Sequence, residues 1–178
     1  IAFCDENGSP YFEFSNYCHT GAALVVKYPV QDTDLYAFTV EAAFHAGKYM
    51  YRGADVESRR FAVAILGAED PRVSKAMGRR DRTNPAAAEA IDAYPNAVFD
   101  PNWNEHRVEM MKDLLVQKFT LLYRFRDLLL ATGENELVYN SPTDAFWGNG
   151  ADGCGENLLG TMLMEIREKI RADMRQAQ

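Results

Sequence analysis

The sequence predicts a mostly helical domain of the α+β class with a small β-sheet near its N-terminus. Its length of 178 residues suits one domain, which we expect to span residues 1–178. Strand-like segments concentrate between residues 11 and 38, where aromatic and β-branched residues are frequent. From residue 39 onward, apolar residues recur mainly at steps of three and four, which is typical of helices that pack one face against a core.

The predicted strands are short. Four segments have strand patterns: residues 11–15, 22–28, 35–38 and 136–140. Pro29 and a turn at residues 32–34 separate the second segment from the third. Residues 1–10 contain a turn sequence, Asn7-Gly8-Ser9-Pro10, and are expected to be frayed. The sheet that these segments can form is therefore small.

The predicted helices occupy most of the remaining chain. Their segments are residues 39–51, 56–66, 71–80, 86–91, 103–131 and 158–170. The long segment 103–131 is expected to break once near Thr120. It carries Lys118 inside its apolar stripe, where we expect the ammonium group to extend to solvent or to pair with a carboxylate. Residues 81–102 form a long connection, which we interpret as a lid or an insertion.

Composition excludes several classes of function. The formal net charge of −7 argues against broad electrostatic binding to nucleic acid, although it permits action on one modified base. No apolar run reaches the roughly 18 residues of a membrane span, and no signal peptide is recognisable. Three cysteines without a CxxC pair and three histidines without ligand spacing predict a reducing compartment, no metal and no other cofactor. We therefore expect a cytoplasmic or nuclear location.

The predicted helix 39–51 carries three polar side chains on one face. Glu41, His45 and Lys48 stand at positions i, i+4 and i+7. The helical rise places the α-carbons of Glu41 and Lys48 roughly 10 Å apart along the axis, which suits two groups that reach opposite sides of a small ligand. The alternative interpretation is a solvated charged face with one i, i+4 pair.

Residues 144–160 form the most unusual segment of the chain. Four glycines within eight residues disfavour helix and strand, and they permit positive φ and close approach of the backbone to a neighbour. Phe146-Trp147 opens the segment, and Asn157 is placed to cap the helix that follows. The segment is interpreted either as a cradle for phosphate or sugar or as a tight connection. Arg79, at the end of an earlier helix, is either a phosphate ligand or a cation that complements the helix dipole.

Five parts of the chain form an ordered set. The first three parts are Phe14-Ser15-Asn16, Glu41 with Lys48, and Met77-Gly78-Arg79. The fourth part runs from Trp103 through Met110 and Lys118-Phe119 to Thr132-Gly133. The fifth part is Asp144-x-x-Trp147-Gly148-x-Gly150-x-Asp152-Gly153-x-Gly155-x-Asn157-x-Leu159-Gly160, followed by Leu163-Met164-x-Ile166-Arg167. This order and spacing resembles the NADAR (YbiA-like) family of N-glycosidases over about residues 11–171.

The resemblance implies a single-domain, mostly helical α+β fold and hydrolysis of the N-glycosidic bond between a ribose and a nitrogenous base. Two activities are associated with such proteins. One removes ADP-ribose from guanine bases, which reverses a nucleic-acid modification. The other cleaves phosphoribosylamino-pyrimidine intermediates of riboflavin synthesis and releases ribose 5-phosphate. We expect the first, on a nucleoside or a nucleic acid, with the second as the alternative.

Two further expectations concern partners. The competing, non-enzymatic interpretation is a module that binds ADP-ribose or a nucleotide in the same pocket without turnover. No membrane and no obligatory protein partner are expected.

The resemblance also implies the site residues. Glu41 and Lys48 match the family's motif glutamate and the lysine seven positions later, and Asp144 matches the aspartate of the glycine-rich motif. These three are the predicted catalytic residues. The predicted substrate-binding residues are Phe14, Ser15, Asn16, His45, Arg79, Trp103, Trp147, Gly148, Asn149, Gly150 and Asn157. Asn149 departs from the family pattern, in which aspartate often follows Trp-Gly.

The chemistry of the bond assigns roles to these residues. Cleavage of a ribosyl C–N bond builds positive charge on the sugar and negative charge on the departing base, so it needs a carboxylate near C1′ and a proton donor near the base. We expect Glu41 to stabilise the charged sugar or to activate water. Lys48 is expected to act as an acid, as an electrostatic clamp, or as an amine that captures C1′. Trp147 is expected to stack on the base.

Overall fold

The computed structural model describes residues 1–27 and 34–177. The chain divides into two compact units: residues 1–18 with 115–178 form unit 1, and residues 19–114 form unit 2. Helices predominate in both, as the sequence predicts. None of the described helices is long and apolar enough to cross a bilayer.

The elements are numbered in chain order. The strands are β1 (Ala2–Phe3), β2 (Leu24–Lys27), β3 (Asp34–Ala37) and β4 (Val138–Tyr139). The helices are α1 (Val40–Gly47), α2 (Val56–Leu66), α3 (Pro71–Arg79), α4 (Pro85–Ala93), α5 (Trp103–Val116), α6 (Tyr123–Ala131) and α7 (Leu158–Gln176).

Two short strand pairs occur among the described residues, one in each unit. In unit 2, β2 pairs antiparallel with β3, and Leu24 lies opposite Ala37. In unit 1, β1 pairs parallel with β4, and Phe3 lies opposite Tyr139. The expectation that residues 1–10 are frayed is therefore wrong at β1. Residues 28–33, which include Pro29 and part of the predicted turn, lie outside the described residues.

The strand predicted over residues 11–15 is instead a short 3₁₀ helix, Phe12–Phe14. Tyr11 precedes it in the left-handed conformation, with φ of 58°, and this turns the chain away from an extended path. Phe14 is fully buried and packs edge-to-face on Phe3 and Phe119, whose ring centroids lie 5.7 and 5.8 Å away. Of the aromatic residues that suggested a strand, Phe14 is thus buried at the end of a helical turn, whereas Tyr11 is exposed.

In unit 2, α1 packs against α2 and α3, and each residue of α1 is buried. Side chains cap the N-termini of these helices: Thr39 accepts from Ala42 N at 3.1 Å, and Asp70 accepts from Arg72 N at 2.8 Å. The predicted helix 39–51 ends earlier, at Gly47, and the chain continues in turns with Tyr49 N bonded to Ala46 O. The alanine-rich turn predicted inside residues 81–102 is a full helix, α4.

In unit 1, the predicted break near Thr120 is confirmed by a π-helical turn, Gln117–Leu121. Lys118 lies in this turn and is fully buried. Its ammonium group donates a 2.8 Å hydrogen bond to the carbonyl oxygen of Ser15. The prediction that Lys118 reaches solvent or a carboxylate is therefore wrong, because folding brings a backbone acceptor to it.

Candidate active site

The first α-helix buries the three polar side chains that the sequence places on one face. Glu41 is 6%, His45 3% and Lys48 8% exposed. Burying ionisable groups is costly unless they are paired or neutralised, so proteins rarely keep them inside without a use. The alternative interpretation of a solvated charged face is therefore wrong.

Glu41 and His45 form a hydrogen-bonded pair, with 3.2 Å between Oε1 and Nε2. Burial lowers the pKa of His45 to about 4, although the contact with Glu41 acts in the opposite direction. At neutral pH the ring is therefore uncharged, and the N–H group at Nε2 donates the hydrogen bond to the ionised carboxylate. Nδ1 then carries only a lone pair, which agrees with its lack of a hydrogen-bond partner among the described residues.

A hydrogen bond and nearby positive charges hold Glu41 in its ionised form. Burial by itself raises the pKa of this carboxyl group, but the hydrogen bond from His45 and the charges of Lys75 and Arg79 bring it below its usual value. Lys75 Nζ lies 3.6 Å from Glu41 Oε1. The site therefore contains a buried carboxylate that is charged at neutral pH.

Gly78 permits α3 to approach His45 closely. A Cβ atom at this position would lie 2.6 Å from Cβ and 2.7 Å from Cγ of His45, which is closer than real contacts allow. Gly78 therefore has a packing function, because it lets the helix that carries Lys75 and Arg79 lie against α1 and Glu41.

Aromatic rings surround the ammonium group of Lys48. Its Nζ lies 5.8 Å from the ring centroids of Phe44 and Phe99 and 5.9 Å from that of Trp103. Burial, and next the charge of Arg79, lower the pKa of Lys48 to about 8. The backbone N–H of Asp100 donates to the carbonyl oxygen of Lys48 at 2.8 Å, which holds the segment after α4 against this residue.

Unit 2 thus brings Glu41, His45, Lys48 and Trp103 into one buried cluster, with Arg79 exposed at the end of α3 and within electrostatic range. Sequence reasoning missed Lys75 and Phe99. Lys75 stands four residues before Arg79, so helical spacing could have placed the two cations on one face. No local sequence pattern links Phe99 to Lys48, since the contact depends on the path of residues 94–102.

The glycine-rich segment of unit 1 is folded by its own backbone. Asp144 Oδ1 accepts hydrogen bonds from the N–H groups of Phe146 (3.1 Å) and Trp147 (2.9 Å). Later in the segment, Glu156 N bonds to Ala145 O at 2.7 Å. These contacts give Asp144 a turn-holding role, and its predicted catalytic role stays a prediction.

Gly148 and Gly155 make close backbone contacts within this segment. A Cβ atom at either position would lie 2.7 Å from a carbonyl oxygen, that of Tyr139 for Gly148 and that of Ala145 for Gly155. Gly150 has a φ of 68°, which favours glycine. These glycines therefore permit close backbone packing, and their contacts with substrate stay a prediction.

Two asparagines fasten the segment to the flanks of β4. Asn149 Oδ1 accepts from Ser141 N at 3.0 Å. Asn157 occupies the N-cap position of α7, but its side chain bonds to Leu137 O and Tyr139 N, both at 2.9 Å, instead of capping the helix. The capping prediction is thus right in position and wrong in the hydrogen bond, because the left-handed backbone of Asn157 turns its side chain towards the strand.

The remaining predicted residues of unit 1 differ in accessibility. Phe14 and Ser15 are fully buried; Phe14 packs in the core, and the Ser15 hydroxyl donates to Asp5. Their contact with substrate stays a prediction. Asn16 is buried as well, whereas Trp147 is partly exposed and packs edge-to-face on Phe146 at 4.9 Å.

The fold and the buried Glu–His–Lys cluster define a mostly helical α+β protein with an ionisable site on its first α-helix. The model of the NADAR domain matches residues 2–171, and the chain belongs to the NADAR family. The structure is similar to the NMR structure of Escherichia coli YbiA, with a TM-score of 0.66 and 31% identity, over 98% of this chain and 86% of that one. The predicted family and fold class are therefore confirmed.

Two relatives that match most of the chain are named N-glycosidases. An N-glycosidase of Nostoc punctiforme is 34% identical over 164 residues, which cover 91% of this chain and 87% of that protein. N-glycosidase YbiA of Escherichia coli is 31% identical over 160 residues, covering 90% and 82%. A riboflavin biosynthesis protein of Vibrio vulnificus is 44% identical over 70 residues, which are 39% of this chain and 19% of that protein. The predicted enzyme class, a hydrolase of N-glycosyl bonds, is the class that the first two names state.

Proposed function

We propose that this protein hydrolyses the bond between C1′ of a ribose and a nitrogen of a base, with Glu41 and Lys48 as its catalytic residues. One observation carries the proposal: a buried, ionised carboxylate on α1 and a buried lysine with a pKa of about 8, at the residue that follows α1, interact electrostatically. Perturbed ionisable groups that converge in this way are typical of active sites. The names of the N-glycosidase relatives supply the reaction class.

The environment of Lys48 favours its action as a nucleophilic amine over the acid and clamp roles. Desolvation and a neighbouring cation are the two conditions that turn a lysine into a nucleophile near neutral pH, and both act on Lys48. In the first step Nζ bonds to C1′ as the C1′–N bond breaks, and the Nζ proton passes through Glu41 to the departing base. In the second step Glu41 takes a proton from water, and the hydroxide bonds to C1′ as the C1′–Nζ bond breaks. Glu41 passes the same proton to Nζ, so the lysine leaves as the free amine and the carboxylate is restored.

The cations beside Glu41 support a substrate that carries phosphate. Lys75 and Arg79 both lie on α3, and Arg79 is exposed at its end. Lys75 pairs with Glu41, whereas Arg79 is exposed, so its guanidinium group is accessible to a phosphate on the 5′ side of the ribose. Both candidate substrates have such a phosphate.

Two substrates fit this description. The first is ADP-ribose attached to a guanine base, in a nucleoside or a nucleic acid, which the family resemblance implies. The second is a phosphoribosylamino-pyrimidine, and the observation that favours it is the similarity to proteins named for riboflavin biosynthesis, in Vibrio vulnificus and in Zea mays. In either case water adds across the C1′–N bond.

Incubation with each substrate, followed by chromatography, tests the proposal. Release of ADP-ribose from ADP-ribosylated guanosine supports the first substrate, and release of ribose 5-phosphate from the pyrimidine intermediate supports the second. Binding without release of either sugar would identify a binding module and overturn the proposal.

The Glu41→Gln variant tests the catalytic assignment. We expect kcat to fall by about 10²–10⁴-fold because the amide cannot relay a proton, while the similar shape of glutamine preserves the fold. Glu89→Gln is the matched control, since Glu89 is an exposed residue of α4 and should leave kcat unchanged. Near-normal turnover by Glu41→Gln, with a circular dichroism spectrum like that of the wild type, would rule out Glu41 as the catalytic carboxylate.

A further inference from the structure

Phe99 is an exposed aromatic residue next to the proposed nucleophile. Its ring centroid lies 5.8 Å from Lys48 Nζ, yet 44% of its surface is exposed. The other two rings around this ammonium group, Phe44 and Trp103, are each only 6% exposed. Among the three, Phe99 is therefore the ring that offers an open surface to a ligand.

Packed neighbours hold this ring in place. Phe99 packs edge-to-face on Trp103 and Tyr49, with centroid distances of 6.3 and 6.0 Å. Two hydrogen bonds hold the next residue, Asp100, in place. Its backbone N–H donates to the carbonyl oxygen of Lys48, and its side-chain Oδ1 accepts from the N–H of Asn102 at 2.9 Å. A ring that is held by perpendicular neighbours and is still exposed to solvent is preorganised for contact, because little side-chain entropy remains to be lost.

We propose that Phe99 stacks on the nitrogenous base of the substrate and thereby contributes to the affinity for ligands that carry a base. This inference rests on the proposed function. The base is bonded directly to C1′, so when C1′ is within reach of Lys48 Nζ the base lies within a few ångströms of the same atom, where the Phe99 ring lies. Every base has a π face, and aromatic side chains bind bases by stacking with little dependence on base identity. The long connection of residues 81–102 thus supplies a substrate contact.

Calorimetric titration with two ligands tests the inference without turnover. Guanosine 5′-monophosphate carries a base, whereas ribose 5-phosphate lacks one. For Phe99→Ala we expect the Kd of the nucleotide to rise at least about 5-fold, the lower end of what stacking contributes, and the Kd of ribose 5-phosphate to stay within about 2-fold. Phe99→Trp should restore nucleotide binding. Phe38→Ala is the control, since Phe38 is 48% exposed and has no contact with Lys48 among the described rings.

Three results would overturn the inference. In Phe99→Ala, the Kd of both ligands could rise equally, or the Kd of the nucleotide could stay unchanged. The third result is a wild-type protein that binds the nucleotide no more tightly than ribose 5-phosphate. Failure of the proposed function is a separate result, namely the absence of sugar release from both candidate substrates. Circular dichroism of each variant confirms that the fold is kept, and equal loss of both ligands with an altered spectrum counts against stacking.

Discussion

Replacement of Gly78 by alanine tests the packing that positions the candidate site. The new Cβ would lie 2.6 and 2.7 Å from Cβ and Cγ of His45, which form the root of a side chain that is 3% exposed. A terminal group could rotate away, but these atoms move only if α1 or α3 shifts. Overpacking of this kind costs about 1–3 kcal/mol, against a gain of up to ~1 kcal/mol from replacing glycine in a helix.

We therefore expect Gly78→Ala to lower the free energy of unfolding by about 1–2 kcal/mol in urea denaturation followed by circular dichroism. We also expect kcat to fall at least about 10-fold, because displacement of His45 disturbs the 3.2 Å hydrogen bond to Glu41, and small misplacements of catalytic groups are costly.

Gly67→Ala is the matched control. Gly67 ends α2 with a φ of −80°, and a Cβ there would meet its nearest neighbours, Ala64 O and Val63 O, at 3.6 Å, an ordinary contact. This variant should be as stable as the wild type or more stable by up to ~1 kcal/mol. If Gly78→Ala proves as stable and as active as Gly67→Ala, α3 does not press on His45 and the packing argument fails.

Two further predictions concern lysines. Burial and the charge of Arg79 lower the pKa of Lys48 to about 8, and only the free amine attacks C1′. We therefore expect kcat/KM to rise with pH and to level off above about pH 8. A profile that falls above pH 8 would identify the ammonium as the active form. For Lys118, burial lowers the pKa to about 8 from 10.5, so between these values the unfolded chain binds more protons and the stability of the wild type rises with pH. Lys118→Met lacks this contribution. When pH rises from 7 to 9.5, the free energy of unfolding of the wild type, measured by urea denaturation, should therefore increase by something on the order of 1 kcal/mol relative to that of the variant. A difference that does not change with pH would mean that Lys118 titrates at its ordinary pKa.

Much of the fold could be predicted from the sequence because local signals specify it. Helical periodicity and end signals gave α2 its observed bounds, Val56–Leu66, and Asp70-Pro71 marked the start of α3. The break near Thr120 followed from the same periodicity. The predicted positions of Glu41 and Lys48 on one helix needed only the helical repeat.

Where prediction failed, the deciding partner lies far away in the chain. The strand β1 exists because residues 2–3 find β4, more than 130 positions later. The ammonium group of Lys118 donates to the carbonyl oxygen of Ser15, 103 positions earlier, and no sequence pattern around either residue predicts this hydrogen bond. The predicted hydrogen bond of the Asn157 cap was wrong for a related reason. The side-chain oxygen of Asn157 accepts from the N–H of Tyr139 in β4, 18 positions earlier, instead of capping α7.

The sequence by itself determined the family, the periodic helices and the residue types available for chemistry, because these depend on neighbours within a few positions. Only the tertiary structure decided that Glu41 is ionised although buried, that Lys75 and Gly78 approach its helix from α3, and that the ring of Phe99 lies beside Lys48. The charge state of a side chain and its access to solvent depend on burial and on the distance to other charges. Burial and distance are set by contacts between segments that lie far apart in the sequence, so local sequence patterns do not reveal them.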